Sequence, residues 1–104
     1  MKKYTVDFRN VKYYLEMHDV IRESLGFPDY YGRNWDAFYD CITDMIYEPF
    51  CVEIIGLDNI ERMFGDVAKK MIFILRQAKH CYDDKYVDRM KIEIVNGEHR
   101  IEVK

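Results

Sequence analysis

Three aspartates recur at four-residue intervals, Asp36, Asp40 and Asp44, within the stretch Asn34 to Tyr47. On a helix, at about 100° per residue, this spacing stacks the carboxylates along one side. Asn34, Phe38, Cys41, Ile42 and Met45 then fall on the opposite side, with Trp35 and Ile46 at its margin. Thr43 and Tyr47 lie among the carboxylates and Tyr39 at their flank. Such a row can chelate Mg²⁺ or Ca²⁺ through oxygen, meet a cationic surface, or simply face solvent. Like charges at this spacing cost a helix a few tenths of a kcal/mol per pair, and Asp is a poor helix former. No Lys or Arg within the segment offsets them. Tyr30, Tyr31 and Tyr39 accompany the row, and a mixed carboxylate and tyrosine surface suits a protein interface better than bulk water.

The remaining reactive side chains assemble no catalytic constellation. No phosphate-cradling Gly-rich loop, His-x-x-x-His pair or nucleophile elbow is present. His18 sits on the apolar side of a predicted helix and reads as a partly buried group. His80, near a helix end, and His99, in a hairpin, read as structural. Cys41 points to the core on the wheel, which makes it an inert thiol. Cys41, Cys51 and Cys81 are odd in number and include no Cys-x-x-Cys pair. They read as reduced cytoplasmic thiols, not a disulfide framework or a zinc site. The expectation is a protein without enzymatic activity, cofactor or metal. A divalent-metal hydrolase on the Asp36/Asp40 face is the minor alternative.

The elements that position the row follow from periodicity and breakers. Tyr4 to Phe8 alternates as a first strand. Asn10 can cap a helix from Val11 to about Leu25, with Val11, Tyr14, Leu15, His18, Ile21 and Leu25 on one face, stopped by Gly26 and Pro28. Phe27 to Arg33 is a turn-rich loop, and the acidic helix runs from Asn34 to about Tyr47, ended by Pro49. Phe50 to Ile55 reads as an interior strand. Asp58 with Glu61 resembles a capping box for a short helix. Asp66 caps a longer one carrying Val67, Met71, Ile72, Leu75 and Ala78, and Tyr82 to Asp88 is a loop. In MKIEIVNGEHRIEV an Asn96-Gly97 turn predicts a hairpin with Val95 opposite Glu98, Ile92 opposite Ile101, Glu93 opposite Arg100 and Lys91 opposite Glu102. The order β-α-α-β-α-α-β-β predicts an α/β layer fold: a three-stranded parallel sheet packed with helices, plus a C-terminal hairpin that adds an edge strand.

Length and charge bound the rest. At 104 residues the chain predicts a single domain over 1–104, large enough to bury a core without a staple. No apolar run reaches the roughly 18 residues of a membrane span, and no apolar segment follows Met1-Lys2-Lys3. From Asp29 to Glu53 there are six acids and one base, and elsewhere thirteen acids and fifteen bases. This acidic sector argues against direct nucleic-acid binding, which needs clustered cations, and points to a basic partner.

The segment FPDYYGRNWDAFYDCIT, Phe27 to Thr43, strongly resembles the barstar family, intracellular inhibitors of the secreted ribonuclease barnase. The pattern P-x-Y-Y-G-x-N-x-D-A-h-x-D-C-h-T carries the resemblance, and Arg76-x-Ala78-Lys79 fits further on. It extends over about the first 95 residues. The resemblance implies a cytoplasmic immunity protein, of toxin–antitoxin type, that is a monomer when free. It implies 1:1 binding to a basic, extracellular-type ribonuclease by placing the loop and acidic helix in its active site. Asp40 would be the central carboxylate and Asp36 a second anchor. Tyr30 would pack on the catalytic histidine, while Gly32 and Thr43 would supply hydrogen bonds. Asn34, Trp35, Tyr39 and Asp44 complete the expected contact set. Gln77 stands where the family has an acid, Asp44 where it has glycine, and Met45 where it has tryptophan. Trp35 and Tyr39 also depart from the prototype. The alternative is therefore a barstar-like module for a different basic protein. The resemblance leaves the isomer of Glu48-Pro49 open.

Overall fold

Four strands and four helices make up the computed structural model, which describes residues 1–82 and 88–104. They are β1 (Lys2–Asp7), α1 (Tyr14–Leu25), α2 (Trp35–Thr43), β2 (Phe50–Ile55), α3 (Leu57–Phe64), α4 (Val67–Lys79), β3 (Met90–Asn96) and β4 (His99–Val103). The sheet order is β1-β2-β3-β4. β1–β2 and β2–β3 are parallel, as helical crossovers require, and β3–β4 is antiparallel. The predicted three parallel strands and added edge strand are thus all present.

Alternation sorts the sheet into two faces. In register, Tyr4, Val52 and Ile92 lie abreast, as do Val6 and Ile54. This apolar side meets Ile21 and Leu25 of α1, Phe38 of α2, and Met71 and Leu75 of α4. On the other face Thr5, Glu53, Glu93 and Glu102 stand abreast across the four strands. Their charges are neutralised by neighbours. Thr5 Oγ1 donates to Glu53 Oε1 at 3.0 Å, Arg100 bonds Glu53 and reaches Glu93 Oε2 at 3.3 Å, and Lys91 lies 3.9 Å from Glu102. Cys51 Sγ donates to Glu93 Oε1 at 3.4 Å, and burial, with that bond, pushes the thiol up to about 11. The apolar run of β2 therefore includes a buried carboxylate and thiol covered by side chains from adjacent strands.

Several element boundaries differ from the sequence pattern for tertiary reasons. α1 begins at Tyr14, not Val11, and Asn10 is not its cap. Buried Asn59 donates its amide to the carbonyls of Phe8 (2.8 Å) and Val11 (3.1 Å), which holds this segment as a loop. Glu16 Oε1 instead receives the Lys12 N–H at 2.7 Å. Met17 is buried on α1, whereas Leu15 is exposed. α3 starts one residue before Asp58, and no Asp58/Glu61 box forms. Gly56 caps it at φ +81, and a Cβ there would lie 2.7 Å from the Arg9 nitrogen, so the chain passes too close for another residue. Asp66 precedes α4 without a side-chain cap bond. Ile74, not Ile72, completes the buried row of Met71, Leu75 and Ala78. The predicted loop from Tyr82 to Asp88 lies largely outside the described residues, and no described peptide bond is cis.

The hairpin turn is shifted by one position. Asn96 pairs with His99, so Gly97 and Glu98 are the central residues, and Ile94 faces Ile101, Glu93 faces Glu102, and Val95 faces Arg100. A type I′ turn at Asn96-Gly97 needs positive φ at both residues, but only Gly97 has it, at +63. Because the pairing moves by two in total, each side chain keeps its face. The attractive charges survive as diagonals through Arg100 and Lys91.

Hydrogen bonding from Arg100 holds the Glu53 carboxyl below its ordinary range. The bond from Cys51, with Arg100 assisting, does the same for Glu93. Groups depressed in the fold contribute stability above the unfolded carboxyl range, and that stability is lost as pH falls through the folded values. Arg100→Ala is expected to lower the urea midpoint at pH 7 and to flatten its fall between pH 5 and 3. An unchanged pH slope would remove Arg100 as the cause.

Candidate protein-binding site

The acidic surface begins with a loop tied down at several points. Phe27 N–H donates to Arg22 O at 3.0 Å and Tyr31 N–H to Pro28 O at 3.0 Å. Arg22 reaches Asp29 at 3.3 Å. Arg33, at φ +52, donates through both Nε and Nη2 to Asp19 of α1, at 2.9 and 3.0 Å. Beneath the loop His18 is fully buried. Its Nδ1 lies 2.8 Å from Tyr31 Oη, its Nε2 3.4 Å from Tyr14 Oη, and its ring 4.8 Å from that of Trp35. Burial pushes the His18 imidazole down, against the charge of Asp19 and with that of Arg33, and pushes the Tyr31 phenol up. Both are neutral at pH 7, and one imidazole nitrogen donates while the other accepts.

Asn34 opens α2 as predicted. Its Oδ1 accepts from the Ala37 N–H at 2.8 Å, and its Nδ2 donates to Gly32 O at 3.0 Å. One amide therefore sets both the helix start and the loop backbone before it. α2 ends at Thr43 and not near Tyr47. Thr43 Oγ1 bonds back to the carbonyls of Tyr39 (2.8 Å) and Asp40 (3.1 Å), and the next bonds, Met45 to Ile42 and Ile46 to Thr43, tighten to a three-residue step. Phe38, Ile42 and Ile46 are buried, Cys41, Met45 and Trp35 half-buried, and Asn34 exposed. Burial also pushes the Cys41 thiol up, with Asp44 and Asp40 adding to it, so it stays protonated.

Asp36, Asp40 and Asp44 are exposed. Among the described residues none of their side chains has a hydrogen-bond or ion-pair partner. By contrast, Asp7, Asp19, Asp29, Glu53, Glu93 and Glu102 are each paired with a cation. No three His, Cys, Asp or Glu side chains come together as metal ligands among the described residues.

The structure gathers Trp35, Asp36, Tyr39, Asp40 and Gln77 around one open groove of about 800 Å³ between α2 and α4. Thr43 and Asp44 line a separate hollow of about 460 Å³ with Tyr47 and Arg89. Tyr30, 86% exposed, projects from the loop. Burial and contact with Cys81 push the Tyr39 phenol up, so it remains a donor. The sequence pattern did not show Lys70, Phe73 and His80 as the far wall of the groove. Their spacing with Gln77 is helical, and the row Val67, Met71, Ile72, Leu75 and Ala78 leaves them off the buried side, but nothing in the local pattern tells that α2 stands across from them.

Two comparisons bear on this surface. The family model described as barstar (barnase inhibitor) matches residues 1–93, ending within β3 and before β4. A Bacillus subtilis (strain 168) protein named "Putative ribonuclease inhibitor YrdF" is 29% identical over 86 residues, covering 83% of this chain and 94% of its own length.

A buried base whose pKa is depressed in the fold leaves the unfolded chain holding more protons at low pH. Stability is then complete above the unfolded histidine range near 6.5 and falls as pH drops towards the depressed folded value. His18→Gln is expected to remove most of the loss between pH 7 and 5 in urea unfolding, at a lower stability at pH 7. A slope equal to that of the wild type would assign the loss to other groups.

Proposed function

Because the chain belongs to the barstar family, we propose that it is an inhibitor of a barnase-type ribonuclease, binding 1:1 with loop 27–34 and α2 in the active-site cleft. The observation that carries this reading is the row of exposed aspartates, with no cation partner among the described residues, on a braced loop and helix. A cleft built to hold RNA phosphates supplies the missing cations, and the name of the Bacillus relative points the same way. The acids occupy the phosphate positions, so the enzyme is blocked by occlusion and no chemistry is needed from the inhibitor.

Asp40, midway along α2, takes the central position, with Asp36 one turn nearer the helix start. Tyr30 packs on the catalytic histidine. The Gly32 carbonyl is engaged by Asn34, which fixes the orientation of the loop backbone. The Thr43 proton is directed to backbone carbonyls, so Thr43 contacts the enzyme as an acceptor. The inhibitor acts as a monomer in the cytoplasm, where Cys41, Cys51 and Cys81 remain free thiols. Clustered carboxylates on a rigid element also steer a cationic partner, raising association rates toward about 10⁸–10⁹ M⁻¹s⁻¹ at low salt.

A second reading, a different basic protein as target, is favoured by one observation: the described α4 wall carries Lys70 and Gln77 and no acid. Calorimetric titration into a catalytically inactivated barnase-type ribonuclease, at low and physiological salt, separates the two. Tight 1:1 binding that weakens with salt is expected. Asp40→Ala should lose about 2–5 kcal/mol, the range for stranding a buried partner charge and one established partly on this family's own interfaces. Asp44→Ala should lose far less. Equal losses would overturn the assigned roles, and absence of binding would favour the different target.

A further inference from the structure

We propose that the α4 side of the groove, through Phe73 and Lys70, selects among ribonucleases by fitting a rim that presents an apolar patch beside a carboxylate. This rests on the inhibitory reading above and deepens it. α4 contains Lys69, Lys70, Arg76 and Lys79 and no acid, whereas α2 contains Asp36 and Asp40 and no base. The two helices pack side by side, so the surface they share changes sign across the groove.

The groove keeps these charges apart. Lys70 lines it opposite Asp36 and Asp40, yet no ion pair within 4.0 Å joins them, and no other described acid pairs with Lys70. All three charges are therefore solvated in the free protein. A partner that fills about 800 Å³ of this space displaces that water. It must bring cations to the α2 wall and an acceptor to Lys70, because an unpaired charge at a closed interface is strongly unfavourable. A nuclease with a cation opposite α4 is disfavoured by the same contact.

Phe73 supplies the apolar part. It is 59% exposed on a helix whose Met71, Ile74 and Leu75 are covered. An exposed apolar residue is ordinary in isolation, but Phe73 lines two hollows at once. One is the groove, and the other is a mainly apolar depression of about 250 Å³ with Leu57, Ala68 and Ile72. It is thus a ridge between two recesses, next to charges that need a partner. Aromatic side chains in such positions dominate binding energy at interfaces. His80, also on this wall, has Nε2 3.0 Å from the Lys104 main-chain oxygen, and Lys70 is the lysine of the groove lining.

The test titrates the wild type, Phe73→Ala, Lys70→Ala, Lys70→Glu and Asp40→Ala into a catalytically inactivated barnase-type ribonuclease that the wild type inhibits in its active form. Thermal unfolding of each variant checks the fold. Phe73→Ala is expected to weaken binding by about tenfold or more with little change in thermal midpoint. Lys70→Glu should weaken it more than Lys70→Ala, and most at low salt. If Asp40→Ala weakens binding while the Phe73 and Lys70 variants stay within about twofold, the α4 proposal fails and the inhibitory reading stands. Tighter binding by Lys70→Glu also overturns the proposal, since it places a cation opposite α4. If the wild type inhibits no ribonuclease of this type, the inhibitory reading fails and takes this proposal with it.

Discussion

A buried, neutral imidazole holds the functional surface to the rest of the protein. His18 is on α1, and its Nδ1 meets the Tyr31 hydroxyl of the loop at 2.8 Å while its ring lies against Trp35 at the start of α2. Loop and helix are thereby anchored to one side chain that is itself fixed in the core. Arg33 and Asp19 repeat the tie at the surface. Rigidity matters here because a plugging surface that must be ordered on contact loses affinity to the entropy of ordering. Asn34 completes the arrangement by setting the α2 start and the Gly32 carbonyl with a single amide.

On this frame the protein handles charge in two opposite ways. Across the polar face of the sheet, Glu53, Glu93 and Glu102 stand abreast, and Lys3, Lys91 and Arg100 neutralise them. Along α2 and at its C-cap, the three carboxylates Asp36, Asp40 and Asp44 have no described cation. The local cost is a few tenths of a kcal/mol per neighbouring pair, small enough for a folded domain to carry. The gain comes only when a cationic partner arrives, since charges left unpaired in the free protein need no internal ion pair broken first. The two arrangements differ in geometry: strands bring opposite charges into register, while the groove between α2 and α4 keeps Lys70 out of ion-pair reach of Asp36 and Asp40.

β4 lies beyond the family match, which ends at residue 93. It is nonetheless integrated, because Arg100 reaches past β3 to Glu53 of β2. The strand covers the open edge of β3 and closes the polar face of the sheet with a cation. Its turn shows how local preference yields to the backbone. Asn96-Gly97 is a favoured pair for a two-residue turn, but Asn96 stays in the strand and Gly97 alone takes positive φ.

Element types and order, the acidic row, the start of its helix at Asn34 and the apolar face through Phe38 and Ile42 were legible in the sequence. Each depends on spacing along one segment, and spacing of 2.0 or 3.6 residues is a property of the local chain. The motif from Phe27 to Thr43 likewise carried the family resemblance. Tertiary structure alone decided the start of α1, which Asn59 sets from some fifty residues away, and the close passage at Gly56. It also decided that α4 packs beside α2, and so made Phe73 and Lys70 the opposite wall of the groove. The physical reason is the same in each case: a local pattern specifies which residues share a face, but which face meets another element depends on contacts distant in sequence. The aspartates could be placed together from their numbering, whereas the cation facing them needed α4 packed against α2.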